Sequence, residues 1–167
     1  AEQALADGIA TAGAKTGSIL VMNPNNGEIL ALATAPSFDS ANPGATDAGN
    51  LGNRTVTEAY EPGSTEKVLT MAALTDSGLV TPDTKVDVPA SIGTIKLARQ
   101  LDKGKLHEYL TSFGLGSAPG SGLPAETAGS LPGADMADYT RDQISFGQGL
   151  SVSVVQMGAA LSAVVNG

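Results

Sequence analysis

Pro62-Gly63 interrupts the chain just ahead of Val68-Leu69-Thr70-Met71-Ala72-Ala73-Leu74, a run that stops near Gly78. A Pro-Gly pair breaks regular structure, whereas the residues after it favour a helix. Their apolar side chains cover nearly the whole circumference instead of one stripe, so the helix is expected at the centre of a domain. At 167 residues the chain suits a single domain with a real core.

At the first turn of that helix stand Ser64 and, three residues on, Lys67. Residues three apart on a helix share a face, so the hydroxyl and the amine are expected to meet. A serine hydroxyl is a weak nucleophile until a neighbouring base takes its proton. A lysine serves as that base only where burial or neighbours favour the neutral amine. The N–H groups at a helix start favour negative charge on a reacting oxygen. By itself the spacing fits a capped structural helix equally well. Glu66, about 200° around the helix from Ser64, is expected to point away from it, in a surface or rim contact.

Before that stretch, residues 1–13 read as a helix, with Ala1, Leu5 and Ile9 at helical spacing. Gly17–Met22 and Glu28–Ala33 read as strands around an Asn26-Gly27 turn, the strongest short hairpin signal. The second strand is almost continuously apolar, which predicts burial on both faces. Residues 35–60 and 114–149 read as loops, and 80–89 as irregular with at most a short strand. Further helices are expected over Gly93–Leu101 and Lys105–Phe113, the latter closed by Gly114. A last helix carries Leu150, Val154, Met157, Leu161 and Val164 on one face, with Ser153 and Gln156 as a capping box. A hairpin followed mainly by helices indicates α+β, although two strands make a poor sheet alone.

Only 4% of residues are aromatic and none is tryptophan, so the core must be aliphatic. A net charge of −8 without a basic run argues against nucleic acid as a partner. There is no cysteine and one histidine, so neither disulfides nor a metal centre is expected, and no cofactor is implied. His107 reads as a solvated surface residue. Asp135, Asp138 and Asp142 read as a solvated acidic loop more than as a cation site. No apolar run approaches 18 residues and no signal-peptide pattern is present, so any membrane anchor is expected outside these residues.

Several separated stretches together resemble one known family. They are Gly17–Ala33, Pro36-Ser37-Phe38 with Asn42-Pro43, Asn53-Arg54, Glu61–Lys67, Ile92-Gly93-Thr94, Phe113–Gly116, Gly122–Glu126 and Phe146–Val152. In this order they resemble the transpeptidase domain of class B penicillin-binding proteins of the septal, cell-division type. The resemblance implies an antiparallel sheet flanked by helices, as in serine β-lactamases, with part of the sheet missing from this chain. It implies a peptidoglycan D,D-transpeptidase acting through a serine acyl-enzyme on D-Ala-D-Ala stem peptides. Ser64 would be the nucleophile and Lys67 the general base, and the Ser64 N–H would be half of the oxyanion hole. β-Lactam antibiotics would acylate the same serine. Implied partners are stem peptides, a cell-division glycosyltransferase and divisome proteins. The implied location is the extracytoplasmic face of the cell membrane, through an N-terminal anchor.

Two departures from the family pattern stand out. The second motif, Ser-x-Asn, is absent: Ala90-Ser91 runs directly into Ile92-Gly93-Thr94, leaving Ser91 as a remnant. Several tens of residues expected near 90–92 are missing, and joined pieces around a mobile site loop are preferred over a deletion. The third motif, Lys-Thr/Ser-Gly, would follow the last helix. Lys15-Thr16-Gly17 matches it but precedes the first strand and reads as a decoy. Residues 1–167 are thus expected to be one partial transpeptidase domain, unable by itself to turn over substrate. The alternative is a non-catalytic penicillin sensor or scaffold of the same fold.

Overall fold

A computed structural model describes all residues from Ala1 to Gly167. Helix α1 (Glu2–Ala12) leads into an antiparallel hairpin of β1 (Gly17–Met22) and β2 (Ile29–Ala35). The connecting turn is longer than two residues. Asn23 N–H donates to Glu28 O at 2.8 Å and Gly27 N–H to Asn23 O at 2.9 Å, with Gly27 at φ 73°. The Asn23 and Asn26 side chains accept from Asn25 N–H and Glu28 N–H, so each asparagine stabilises the bend locally. Gly17 lies so close beneath α1 that an added Cβ would sit 2.9 Å from Leu5 Cδ1. That packing role suits Lys15-Thr16-Gly17 as the lead-in to β1.

Helices dominate the remainder: α2 (Arg54–Thr57), α3 (Lys67–Asp76), α4 (Ala90–Ala98), α5 (Lys103–Ser112), α6 (Asp138–Ile144) and α7 (Val154–Asn166). The core joins Leu69, Ala73 and Leu74 of α3, Leu106 and Leu110 of α5, and Met157 and Ala160 of α7, with Leu115, Ile144 and Val152. It is aliphatic, as the composition requires. Helix α7 also packs on the hairpin, and at Gly158 a Cβ would collide with Leu20. Its N-terminus carries the expected box: Ser153 Oγ accepts from Gln156 N–H and Gln156 Oε1 from Ser153 N–H. The α+β reading holds.

Several expectations need correction. β2 is not buried on both faces: Ala33 is its one buried residue and Leu30 is 60% exposed, because a two-stranded ribbon leaves the helices too little sheet to cover. Nor is α3 buried all round. Leu69, Thr70, Ala73 and Leu74 are buried, but Val68 is 45% exposed. The stretches read as loops contain α2, whose Asn53 cap accepts from Thr55 N–H, and α6, both too short to show a periodic pattern. Helix α4 begins three residues earlier than expected, at Ala90. Helix α5 begins at Lys103, where Asp102 caps it by accepting from Gly104 N–H.

Candidate active site

Ser64 lies in a single 3-10 turn, Gly63–Thr65, that feeds into α3. It is exposed, and neither its hydroxyl nor its N–H pairs with another group of the chain. Both are therefore free to meet a ligand. Ser64 and Lys67 share the same end of α3, as the spacing requires, but their side chains are not hydrogen-bonded to each other. The half-buried Lys67 instead donates from Nζ to Ser91 Oγ at 3.1 Å. Ser91 stands in the first turn of α4, so α3 and α4 bring a hydroxyl from a distant part of the chain to the lysine.

Glu66 departs from expectation. It is fully buried, where a surface or rim contact was expected. The stripe was legible: Glu66 stands three, four and seven residues before Leu69, Thr70 and Ala73, all buried on one face of α3. Thr70 Oγ1 donates to Glu66 Oε1 at 2.8 Å, while Oε2 is buried without a partner. Burial pushes the carboxyl up to about 8 despite the opposing Thr70 bond, so the neutral acid is favoured below that pH.

The turn carrying Ser64 is held from behind by the segment between α6 and α7. Gly63 N–H donates to Gly147 O at 2.9 Å, and Gly149 N–H donates to Glu61 Oε1 at 2.9 Å. Tyr60 and Val152 exchange two backbone hydrogen bonds, each 2.9 Å. Ser130 and Ser151 do likewise on the other side, at 2.8 and 2.9 Å. The Phe146-Gly147-Gln148-Gly149 turn therefore lies against the turn that carries Ser64, and its contribution is made by backbone rather than by Gln148. Gly147 has φ 86°, and a Cβ there would collide with Gly63 O.

Elsewhere, His107 and Asp142, both read as solvated, are engaged. His107 is half-buried and its Nδ1 hydrogen-bonds Pro132 O at 2.9 Å, which pins the 132 loop to α5. Asp142 accepts two hydrogen bonds from Arg99, at 3.1 and 2.6 Å, and lies 3.5 Å from Arg141. That pairing holds its carboxyl below the usual range and ties the end of α4 to α6. Asp138 lies 3.7 Å from Lys103. Asp142 thus pairs with cations of this chain, a role its sequence spacing does not reveal, whereas Asp135 is exposed without an ion pair and Asp138 is 75% exposed, as a solvated acidic stretch requires.

The model of the penicillin binding protein transpeptidase domain matches residues 17–93 and 90–167, two blocks that meet at the start of α4. The chain is 32% identical over 186 residues to the penicillin-binding protein PbpB of Mycolicibacterium smegmatis, covering 92% of this chain and 29% of that protein. It is 30% identical over 181 residues to the probable peptidoglycan D,D-transpeptidase PenA of Neisseria flavescens, covering 92% and 45%. The structure of penicillin binding protein 3 from Mycobacterium tuberculosis, complexed with aztreonam, superposes with a TM-score of 0.88 at 28% identity. That match covers 99% of this chain and 44% of the other. The chain thus spans less than half the length of these relatives.

Proposed function

Because the chain belongs to the penicillin-binding protein transpeptidase family, we propose that it takes part in peptidoglycan cross-linking as a serine D,D-transpeptidase. The reading rests on one observation: an exposed serine with free Oγ and N–H, one turn from a lysine that a second hydroxyl holds. In it, Ser64 Oγ attacks the carbonyl carbon between the two terminal D-alanines of a stem peptide. Lys67 takes the hydroxyl proton and later delivers it to the departing nitrogen, so the C–N bond breaks and D-alanine leaves. An amine from a neighbouring stem then attacks the ester, forming the cross-link and regenerating Ser64. A neutral amine has two N–H bonds and one lone pair. Donation of one N–H to Ser91 would leave the lone pair to face Ser64, giving the second-motif remnant an orienting role. The free Ser64 N–H would stabilise the oxyanion.

By the same route a β-lactam ring opens on Ser64 and leaves an ester. We read residues 1–167 as part of one transpeptidase domain, acting at the extracytoplasmic face of the cell membrane, where its polymer substrate lies. No helix of the chain is long and apolar enough to cross a membrane, so anchoring would fall to another segment. Cell-division glycosyltransferase and divisome partners follow from the septal type of the resemblance.

The test is labelling of the full-length protein with a fluorescent penicillin, read by gel and by intact mass. The expected outcome is one adduct in wild type, none in Ser64→Ala or Lys67→Ala, and acylation of Ser91→Ala slowed by about tenfold or more. Undiminished labelling of Ser64→Ala refutes the assignment of the nucleophile. An absence of labelling in wild type favours the non-catalytic scaffold.

A further inference from the structure

The residue that carries the proposed nucleophile belongs to a short turn, and a short turn has few bonds of its own. Within Gly63–Thr65 the bonds are those at its C-terminal end, Glu66 N–H to Gly63 O at 3.0 Å and a second backbone N–H to Ser64 O. Ser64 keeps its own N–H and hydroxyl free, so neither helps to hold it. What fixes the turn comes from outside, 84 to 92 residues later in the chain. Gly147 O receives Gly63 N–H, Gly149 N–H reaches the Glu61 carboxylate, and Val152 pairs on both sides with Tyr60. Gly63 N–H is thereby satisfied from outside and Gly63 O from within the turn, so both sides of the peptide that bears the Ser64 N–H are held. Gly63 itself sits at φ 57°, a conformation that glycine adopts freely and that without contacts would be one of several.

We propose that Glu61 is a positioning residue for acylation, holding the 146–149 turn against Gly63 and so aiming Ser64. The proposal rests on the reading of Ser64 as the nucleophile. Its basis is chemical as well as geometric. The Glu61–Gly149 bond is the only side-chain contribution to this clamp; the others are backbone and cannot be removed by ordinary substitution. A carboxylate accepting from an amide makes a stronger bond than a neutral pair. Glu61 is exposed, so its removal leaves no cavity and no buried unpaired charge. Loss of the clamp should therefore show in the alignment of the reacting atoms and not in the stability of the fold. Displacement by a fraction of an ångström is costly for a reaction that depends on orientation.

The experiment measures the kinetics of fluorescent-penicillin acylation for the full-length protein, separating the rate of ester formation from the affinity of the preceding complex. Glu61→Ala is expected to slow ester formation by about tenfold or more, with affinity changed less than threefold and the unfolding temperature within about 2 °C of wild type. Glu61→Gln keeps an oxygen acceptor and is expected to recover most of the rate, whereas a surface-charge effect would make Gln behave like Ala. A wild-type rate in Glu61→Ala overturns the proposal, as does an equal loss in Ala and Gln. Gly147→Ala, which drives a Cβ into Gly63 O, is the second variant: ester formation must fall in the folded protein, and full acylation there also overturns the clamp. If wild type itself fails to label, the assignment of Ser64 has failed, an outcome distinct from any of these.

Discussion

At the scale of single residues, Glu66 is the most instructive side chain. A carboxyl with no solvent and one hydroxyl donor has lost water that ionisation needs, and its pKa rises to about 8 from 4.5. The folded state therefore holds a proton that the unfolded chain releases above 4.5. The resulting stabilisation is complete below 4.5 and is lost progressively as pH rises towards 8. At pH 7 the loss amounts to about 3 kcal/mol. Glu66→Gln keeps an acceptor for Thr70 and has no charge to titrate. Denaturant unfolding between pH 5 and 8 is expected to show falling stability in wild type and a nearly flat profile in the variant. Parallel profiles would mean that Glu66 is not the group responsible.

At the scale of elements, helix α7 shows how one polar residue organises several backbones. Gln156 is 2% exposed yet fully used. Its Oε1 accepts from Ser153 N–H, and its Nε2 donates to Ser117 O at 2.6 Å and Ala128 O at 2.9 Å. The capping box expected from Ser153 and Gln156 is thus also a bolt that fastens two loops to the helix start. Gln156→Leu fills a similar volume but strands one N–H and two carbonyls, which costs about 3 kcal/mol or more. Ser153→Ala removes one cap bond and costs about 1 kcal/mol. Chemical denaturation of the two variants should rank them in that order, and a Leu variant as stable as wild type would remove the bolt from the account.

At the scale of the whole molecule, acid and base act through different groups. Asp142 is held below its usual range chiefly by the Arg99 hydrogen bonds. Its contribution is present above about 3.8 and is lost as pH falls through the lowered folded value. Glu126, bonded to Ser121 and Gly120, has the same sign. Glu66 has the opposite one. A net charge of −8 at pH 7 adds self-repulsion that acidification relieves. Together these place maximum stability at about pH 4–5, below the neutral range usual for carboxylate-rich proteins. A scan of unfolding temperature against pH checks this, and Glu66→Gln should move the maximum upward. A neutral maximum in wild type would show that the ion pairs outweigh the buried acid.

Much of the fold could be read directly, and so could the placing of Ser64 and Lys67 at one end of α3, though not the partner that the lysine takes. The Pro-Gly break, the hairpin, the last helix with its cap and the Ser64–Lys67 spacing all depend on residues close together in the chain, where propensity and periodicity act. The inward stripe of Glu66 was also present in the spacing, although its charge argued for the surface. What the sequence could not supply were contacts across long separations: Ser91 against Lys67, Arg99 against Asp142, His107 against Pro132, and the Gly147 turn behind Gly63. Local sequence sets which elements form because the backbone energies involved are local. Which hydroxyl reaches the lysine, and which acid is denied water, depends on how those elements pack, and only the tertiary structure decides that.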